Sequence, residues 1–333
     1  MARPYNVLLM AGTMMAGGSE RQTLYLLRHL DRTKFTPHLY LSYAKGELLE
    51  QVPDDVSITS FDAQPTAFLD LLPGFIHRRQ VAGLRRYLVE ESIDIVYDRT
   101  FHMSLIAGPA VQGLRTRRMA TIVSPPDQDL PAAEQRFVGL KRRLLSRSYH
   151  RADAIVTVSE AVAASAARYY RIPPERFQTI HSPIDLEAIA DAASDDLCGD
   201  IQLDSVDVNI ACVGRMTNEK GQRYLIDAIA ALRDHPVFDC LHVWMVGDGP
   251  MRQDLIQQAE QLDLRRRIHF VGCRASAIPL MARCQLVCVP SLYEGFPMCC
   301  SKRWRWEFRR LQPTWGECGT AEESIARADR SAC

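Results

Sequence analysis

Residues 208–232 read VNIACVGRMTNEKGQRYLIDAIAAL, and this stretch decides the fold of the second half of the chain. An apolar run ends at Gly214, a loop with two cations follows, and from Gly221 the apolar residues have helical spacing. Three more apolar runs follow in this half: LHVWMV (241–246), IHFV (268–271) and QLVCV (285–289). Helical patterns separate them. Such alternation predicts a parallel sheet with helices on both faces, a doubly wound α/β fold.

The first half repeats this rhythm. Its strand-like runs are residues 7–10, 93–97, 120–123 and 154–158, and its helical patterns are residues 20–30, 74–90, 132–149 and 159–170. The stretch 191–207 is acidic and polar, which is typical of a surface connection between domains. A length of 333 residues also suits two domains. We therefore predict domains at residues 1–190 and 208–298, joined by a linker at 191–207.

Composition limits the function classes. Lys and Arg total 40, as do Asp and Glu, so the net charge is zero and gives no support for nucleic acid as the main partner. No apolar run approaches the ~20 residues that cross a bilayer, and the first run is typical of a β-strand rather than a signal peptide. The ten cysteines show no CxxC spacing, and Cys212 and Cys288 lie in strand-like runs, as reduced core thiols do. We expect a cytoplasmic protein without a metal site.

Candidate binding residues follow strand ends, where such sheets bind ligands. Arg215 and Lys220, in GRMTNEKG, could together hold a diphosphate; the alternative is two solvated surface charges. In AGTMMAGGSE, Gly17 and Gly18 open a predicted helix, so backbone N–H groups and the helix dipole could meet an anion. The alternative there is a plain strand-to-helix turn.

Three further features lie at strand ends. The segment VGDGP, residues 246–250, is typical of an architectural turn at the start of a helix. Glu294, in PSLYEGFP, could bind sugar hydroxyls, although alone it would be a simple surface acid. His102 follows a strand of the first half and is a candidate to face the same crevice. His181, at a turn before the linker, is a second candidate, and the histidines in helical or strand contexts suit packing or solvent.

Taken together, GRMTNEKGQRYLIDAIAAL, VGDGP and VGCRASAIPLMARCQLVCVPSLYEGFP resemble the group 1 glycosyltransferases. These are retaining enzymes with two facing Rossmann-like domains, the GT-B type, and the resemblance runs from about residue 6 to about residue 298. It implies transfer of a sugar from a nucleotide-diphosphate donor to an acceptor hydroxyl, without metal or other cofactor. It also implies a glycan or lipid-linked acceptor in envelope polysaccharide or glycolipid synthesis, at the inner face of the membrane.

The resemblance assigns roles to single residues. Arg215 and Lys220 would contact the diphosphate, Glu294 would hold the donor sugar, and Gly17 and Gly18 would close over the diphosphate. The resemblance carries over no catalytic His, and His102 is the candidate substitute for one. The remaining donor-binding positions that it implies are Gly214, Cys273, Arg274, Gly295 and Phe296.

The chain departs from the family pattern at two places. The family has a second Glu eight residues after the first, for the donor ribose, and here that position holds Lys302. From residue 299 to residue 333 the chain is a cationic and aromatic tail without strand pattern, which we expect to be poorly ordered. Ser124 stands where many relatives carry a His. A reading frame shifted near codon 298 would explain the tail; the alternative is a divergent extension.

Two alternatives to an active transferase follow. With its second domain truncated, the chain would transfer weakly or not at all, and the leading alternative is a non-catalytic nucleotide-sugar-binding remnant. A dinucleotide-dependent oxidoreductase is disfavoured because no GxGxxG follows a strand. Residues 137–148 form a basic, amphipathic helical pattern, typical of either a peripheral membrane contact or a solvated helix face.

Overall fold

The computed structural model describes residues 3–15, 17–61, 74–134, 136–195, 201–203, 207–274 and 276–296. The chain divides into two compact units, Met1–Pro183 and Ile184–Cys333. Each unit is built on its own parallel sheet. The tail that we expect to be poorly ordered, residues 299–333, lies outside the described residues.

The strands of the first unit are β1 (Tyr5–Ala11), β2 (Phe35–Leu41), β3 (Ser57–Ser60), β4 (Ile95–Arg99), β5 (Arg117–Ile122), β6 (Ala154–Thr157) and β7 (Phe177–Thr179). They form one sheet in the order β3-β2-β1-β4-β5-β6-β7, and every pairing is parallel. The strand order reverses between β1 and β4. The loops after these two strands therefore flank the crevice in which doubly wound sheets bind ligands.

Helices cover both faces of this sheet. They are α1 (Gly18–His29), α2 (Phe75–Glu90), α3 (Phe101–Ala110), α4 (Pro126–Ala133), α5 (Val138–His150) and α6 (Glu160–Tyr170). Strand β1 is buried on both faces: Leu9 packs in one cluster with Leu24 and Leu27 of α1, and the adjacent Leu8 packs in another with Leu84 of α2. This two-sided burial explains why the strand reads as a continuous apolar run.

The prediction of a single helix over residues 132–149 was wrong in its first part. The structure ends α4 at Ala133 and starts α5 at Val138. Between them Phe137 has a φ of 61°, a left-handed conformation that a continuous right-handed helix does not contain. Nothing in the apolar spacing marks that break.

The second unit contains α7 (Leu186–Ser194), β8 (Val208–Val213), α8 (Gln222–Ala231), β9 (Leu241–Val246), α9 (Arg252–Gln261), β10 (Ile268–Gly272), α10 (Ile278–Arg283) and β11 (Leu286–Val287). Its described strands form a parallel sheet in the order β10-β9-β8-β11. Here the order reverses between β8 and β11, so the loops after these two strands flank the expected ligand position.

Helix α7 attaches the start of the predicted linker to the second unit. The Asp185 side chain caps this helix by accepting a hydrogen bond from the Ala188 backbone N–H at 2.9 Å. The helix packs against α10, and Arg283 of α10 donates to the Asp195 carbonyl at 3.3 Å. The division between the units therefore lies at Pro183, before residue 190, where we predict the first domain to end.

Candidate functional site

Two loops meet where the strand order of the second sheet reverses. One, residues 214–221, follows β8, and the other, residues 288–296, follows β11. The Leu292 backbone N–H donates to the Glu219 carbonyl at 2.8 Å, which ties the loops together. Gly221 has a φ of 65°, and a Cβ at this position would lie 2.1 Å from the Pro290 carbonyl oxygen. Only glycine allows both the conformation and the close approach.

An ion pair joins the two loops. Lys220 Nζ lies 2.6 Å from Glu294 Oε1, and Ser291 Oγ donates to the same oxygen at 2.8 Å. The Lys220 and Glu294 side chains are 28% and 21% exposed, while Ser291 is buried. The second carboxylate oxygen, Oε2, accepts no hydrogen bond from the described residues. This oxygen and the remaining ammonium protons are available to a ligand.

Arg215 stands at the start of the first loop. Its backbone is fixed because Gln222 Nε2 donates to the Arg215 carbonyl at 3.0 Å. Its side chain is exposed and has no ion pair within the part of the chain that the structure describes. The guanidinium is therefore a second cation, free to turn toward an anion at the end of β8.

The loop after β9 packs against the backbone of the loop that carries Arg215 and Lys220. A Cβ at Gly247 would lie 2.1 Å from the Gly214 carbonyl oxygen, and one at Gly249 would lie 2.3 Å from that of Met216. Met216 in turn donates its backbone N–H to the Asp248 carbonyl at 2.9 Å. These backbone contacts fit the architectural turn that we predict for VGDGP.

The other donor-binding candidates of this unit lie at the same edge of the sheet. Gly214 directly follows β8, Cys273 and Arg274 follow β10, and Gly295 and Phe296 follow Glu294. Cys273 is exposed, and its thiol is free. By contrast, burial raises the pKa of the Cys212 thiol inside β8, so this thiol stays neutral in the core.

The glycine candidates Gly17 and Gly18 belong to the first unit. Gly17 is the N-cap of α1 and Gly18 is its first residue, so both stand at the positive end of a helix. A Cβ at Gly18 would meet no atom within 4 Å, whereas one at Gly17 would lie 2.2 Å from Glu20 Oε2. The Glu20 carboxylate therefore lies against this helix end, and an incoming anion would have to displace it.

His102 also belongs to the first unit, as the second residue of α3. Its Nε2 lies 3.4 Å from Glu134 Oε1, and the same carboxylate pairs with Lys141. Desolvation lowers the pKa of His102, and the Glu134 carboxylate opposes that shift. The side chain is 59% exposed and therefore accessible to solvent. Thr100, two residues before His102, has a strained φ of 76°.

The structure thus brings together some of the candidates. Lys220 and Glu294 are in contact, and Arg215 lies on the same loop as Lys220. Sequence reasoning missed Ser291, which binds Glu294, and Gln222, which fixes the Arg215 backbone. The one available signal for Gln222 was a polar residue on the buried face of an amphipathic helix.

Within the described ranges, no helix is both long and apolar enough to cross a bilayer. In the same part of the chain, no group of three or more His, Cys, Asp or Glu side chains is arranged to hold an ion. Metal-free chemistry nevertheless stays a prediction.

Family models match both units of the chain. Residues 16–188 match the family described as Glycosyltransferase Family 4, which alone covers more than half of the chain. Residues 207–302 match the family described as Glycosyl transferases group 1. The chain belongs to the group 1 glycosyltransferase family. The predicted family is therefore confirmed.

Two curated relatives match parts of this glycosyltransferase. One is the Campylobacter jejuni N-acetylgalactosamine-N,N'-diacetylbacillosaminyl-diphospho-undecaprenol 4-alpha-N-acetylgalactosaminyltransferase, 27% identical over 153 residues. That match covers 46% of this chain and 39% of the relative. The other is the Rhizobium meliloti lipopolysaccharide core biosynthesis glycosyltransferase LpsD, 29% identical over 28% of this chain and 25% of the relative. The chain thus matches less than half the length of either protein.

Solved structures confirm the fold class. Anabaena Alr3699/HepE, solved with UDP, has a TM-score of 0.69 at 21% identity, covering 92% of this glycosyltransferase and 79% of that chain. WaaG has a TM-score of 0.69 at 17% identity, with coverage of 97% and 84%. Sucrose-phosphate synthase from Thermosynechococcus elongatus reaches 0.74 at 15% identity, with coverage of 92% and 80%. The predicted α/β fold with Rossmann-like doubly wound units of the GT-B type is therefore correct.

Proposed function

We propose that this glycosyltransferase binds a nucleotide-diphosphate sugar and transfers the sugar, with retention, to an acceptor hydroxyl in envelope polysaccharide or glycolipid synthesis. The observation that carries the proposal is the Lys220–Glu294 pair, a cation and a carboxylate held together at the switch point of a doubly wound sheet. Retention rests on the family resemblance. The protein would act at the cytoplasmic face of the membrane.

The two loops divide the work on the donor. Lys220 has three ammonium protons, of which Glu294 takes one, so the others can bind a phosphate oxygen. Arg215 can add a bidentate contact, since its planar fork matches phosphate. Both cations would stabilise the negative charge that develops on the departing diphosphate. Glu294 Oε2 would meanwhile accept a hydrogen bond from a sugar hydroxyl.

The relatives support the choice of substrates. The C. jejuni relative is named as an N-acetylgalactosaminyltransferase of a diphospho-undecaprenol glycan, and LpsD as an enzyme of the lipopolysaccharide core. Alr3699/HepE has been solved with UDP and with UDP-glucose. We therefore propose a uridine-diphosphate sugar as donor and a glycan or lipid-linked acceptor.

Lys302 limits the expected rate of this chain. A cation at the place where the family pattern has the ribose-binding Glu removes an acceptor for the ribose hydroxyls. We therefore expect weak or no transfer, with donor binding retained through Lys220 and Glu294. The second candidate function is donor binding alone, by a non-catalytic remnant.

Calorimetric titration of the full chain with UDP tests the donor site. We expect Lys220→Met to weaken UDP binding by about 10- to 100-fold, since a charge-assisted contact is worth ~1.5–3 kcal/mol. The matched control is Arg223→Met, which removes an exposed cation at the start of α8, outside the two loops. Equal UDP affinity in wild type and Lys220→Met would overturn the proposed site.

UDP release from UDP-sugars separates the two candidate functions. Release in the presence of an acceptor, at ~1–10³ s⁻¹, would contradict the prediction of weak transfer. Binding without release would support the remnant. The anomeric configuration of any product, read by NMR, tests retention.

Metal independence is tested by adding EDTA to the binding and release measurements. The proposal has the cations Lys220 and Arg215 neutralise the diphosphate, so no change is expected. A loss of binding that Mg²⁺ or Mn²⁺ restores would show that a divalent ion takes part.

Helix α5 supports a peripheral contact with an anionic membrane. Phe137, Leu140 and Leu144 are large, apolar and exposed, and exposed Arg143 and Arg147 stand beside them at helical spacing. An apolar stripe bordered by arginines suits an anionic lipid surface.

Vesicle sedimentation tests this contact. The full chain should sediment with phosphatidylglycerol vesicles and stay in solution with phosphatidylcholine vesicles. The double variant Leu140→Glu/Leu144→Glu should lose the association. The matched control is Val89→Glu, which changes an exposed apolar residue on α2. Unchanged sedimentation of the double variant would mean that α5 does not contact lipid.

A further inference from the structure

Arg99, the last residue of β4, is a buried cation whose described partners include no carboxylate. The residue is 7% exposed. Its Nη1 reaches the Tyr97 hydroxyl at 3.2 Å, its Nη2 reaches the Ser182 hydroxyl at 3.4 Å, and its Nε is buried without a hydrogen-bond partner. Two long contacts to neutral groups do not compensate the desolvation of a guanidinium, which costs several kcal/mol.

The nearest acid in sequence is engaged elsewhere. The Asp98 carboxylate accepts hydrogen bonds from Nε and Nη2 of Arg118, at 2.6 and 2.8 Å, and from Ser104 Oγ at 2.6 Å. Successive residues of a strand point to opposite faces of the sheet, so Asp98 and Arg99 serve different surroundings. Among the described residues, Arg99 therefore lacks a neutralising partner such as the one that the buried Arg118 has.

A second unsatisfied group lies next to Arg99. Thr121 is its register partner on the adjacent strand β5, and Thr121 Oγ1 is buried without a hydrogen-bond partner in the part of the chain that the structure describes. In parallel pairs such residues point to the same face. Unsatisfied buried groups of this kind are uncommon in folded proteins, and they mark strain, function or an absent ligand.

The position in the fold is that of a ligand site. Arg99 ends β4, and the strand order of the first sheet reverses between β1 and β4. The carboxyl ends of strands at such a reversal are where doubly wound sheets bind ligands. The segment carrying Ser182 crosses this edge, where Gln22 of α1 donates to the Pro183 carbonyl at 3.1 Å.

We propose that Arg99 anchors a phosphate group of the acceptor substrate at this edge of the first unit. A phosphate can accept from Nε, from an Nη and from the Thr121 hydroxyl together. A carboxylate could match the same three donors, but a phosphate group carries up to two negative charges and therefore offsets the buried cation more strongly than a singly charged carboxylate. The site thus assigns the acceptor to the phosphorylated class. The identification of the ligand as the acceptor rests on the proposed transferase function. The phosphate site itself is independent of that function.

Thermal unfolding of the full chain with added phosphate tests the site. Inorganic phosphate at about ten times its Kd should raise the Tm by on the order of 3 °C, compared with sodium chloride at equal ionic strength. Geranyl diphosphate should act at lower concentration than phosphate, and geraniol should have no effect. Phosphate acting as well as geranyl diphosphate would overturn the acceptor assignment in favour of a free-anion site.

The variant Arg99→Met separates a ligand anchor from a structural role. Without ligand, replacing an unpaired buried cation by an apolar side chain should leave the Tm unchanged or raise it. The response to phosphate that remains in Lys220→Met should disappear when Arg99→Met is added to it. A lower Tm together with a full phosphate response would overturn the proposal. If Arg99→Met does not fold, Arg99→Lys serves, because it keeps the charge without the fork and should bind phosphate about tenfold more weakly.

UDP provides the internal comparison. Arg99→Met should keep the stabilisation by UDP that Lys220→Met loses, and Lys220→Met should keep the stabilisation by phosphate at Arg99. If Arg99→Met also loses the UDP response, Arg99 binds the donor, and the acceptor assignment is wrong. If wild type responds to phosphate and not to UDP, the donor site fails while the phosphate site stands.

Discussion

Two ion pairs, one in each unit, are built from the same kinds of group in opposite ways. Asp98 and Arg118, in the first unit, are 0% and 1% exposed, and both carboxylate oxygens of Asp98 accept hydrogen bonds. Lys220 and Glu294, in the second unit, are partly exposed, and both hydrogen bonds to the Glu294 carboxylate reach the same oxygen. The first pair is saturated, and the second is not.

This difference separates stabilisation from binding. Arg118 also donates to the Ser148 carbonyl at 2.8 Å, and both side chains are buried, so the pair in the first unit is out of reach of an incoming molecule. Glu294 keeps one oxygen and Lys220 keeps two protons that a ligand can use. A residue's type and charge therefore do not show whether it serves a site; the unused donors and acceptors that solvent can reach do.

The largest effect is expected from opening the saturated pair. Asp98→Asn leaves the Arg118 guanidinium buried without its counter-charge, which should lower the free energy of unfolding of the first unit by about 3–5 kcal/mol. Urea denaturation followed by circular dichroism measures it. A loss below ~1 kcal/mol would contradict the view that this pair is structural.

A smaller effect is expected from Gly221→Ala, which disturbs the backbone between the loops and leaves both charges in place. The added Cβ would lie 2.1 Å from the Pro290 carbonyl oxygen, at a φ of 65°. The strain should cost roughly 1–3 kcal/mol and should weaken UDP binding. The matched control is Gly113→Ala, also at positive φ but in open space, which should cost stability and leave UDP affinity unchanged.

Ser291→Ala tests the orientation of the Glu294 carboxylate. Loss of the 2.8 Å hydrogen bond frees Oε1, so we expect UDP-sugar affinity to fall about tenfold, ~1.4 kcal/mol, with little change in the Tm. Ser291→Thr keeps the hydroxyl and should restore binding. Equal affinity in the Ala variant would show that Lys220 alone positions the carboxylate.

The smallest effect is expected from an exposed pair. Arg117 lies 2.5 Å from Asp153 but is 77% exposed, so Arg117→Ala should change the free energy of unfolding by only ~0.2–1 kcal/mol. Urea denaturation of Arg117→Ala and Asp98→Asn under the same conditions compares the two losses in free energy of unfolding. A cost comparable to that of Asp98→Asn would mean that burial does not set the energetic difference.

The main strands could be predicted from the sequence because two-sided burial makes them continuous apolar runs. The match of β8 and β9 to VNIACV and LHVWMV shows this. For the loops after these strands, the sequence predicted their location at the strand ends but not their side-chain contacts. The contact of Ser291 with Glu294 depends on the conformation of a turn, which the periodicity of apolar residues does not encode. The same holds for the left-handed conformation of Phe137, which divides α4 from α5.

The unpaired state of Arg99 was equally hidden from the sequence. Its neighbour Asp98 would be taken as its partner in any local reading. The true partner of Asp98 is Arg118, on another strand, and only the register of the sheet reveals it. Long-range pairing thus decides which charges are available.

The hydrogen bond from Leu292 to Glu219 has a practical consequence for protein engineering. Because main-chain atoms make it, exchanging the exposed Leu292 side chain leaves the anchor intact. Residue 292 can therefore be varied in a library while Gly221, Ser291 and Glu294 are held constant. Side chains introduced at this one position would face solvent beside the proposed donor site, so they would alter its surface while the backbone link between the loops is kept.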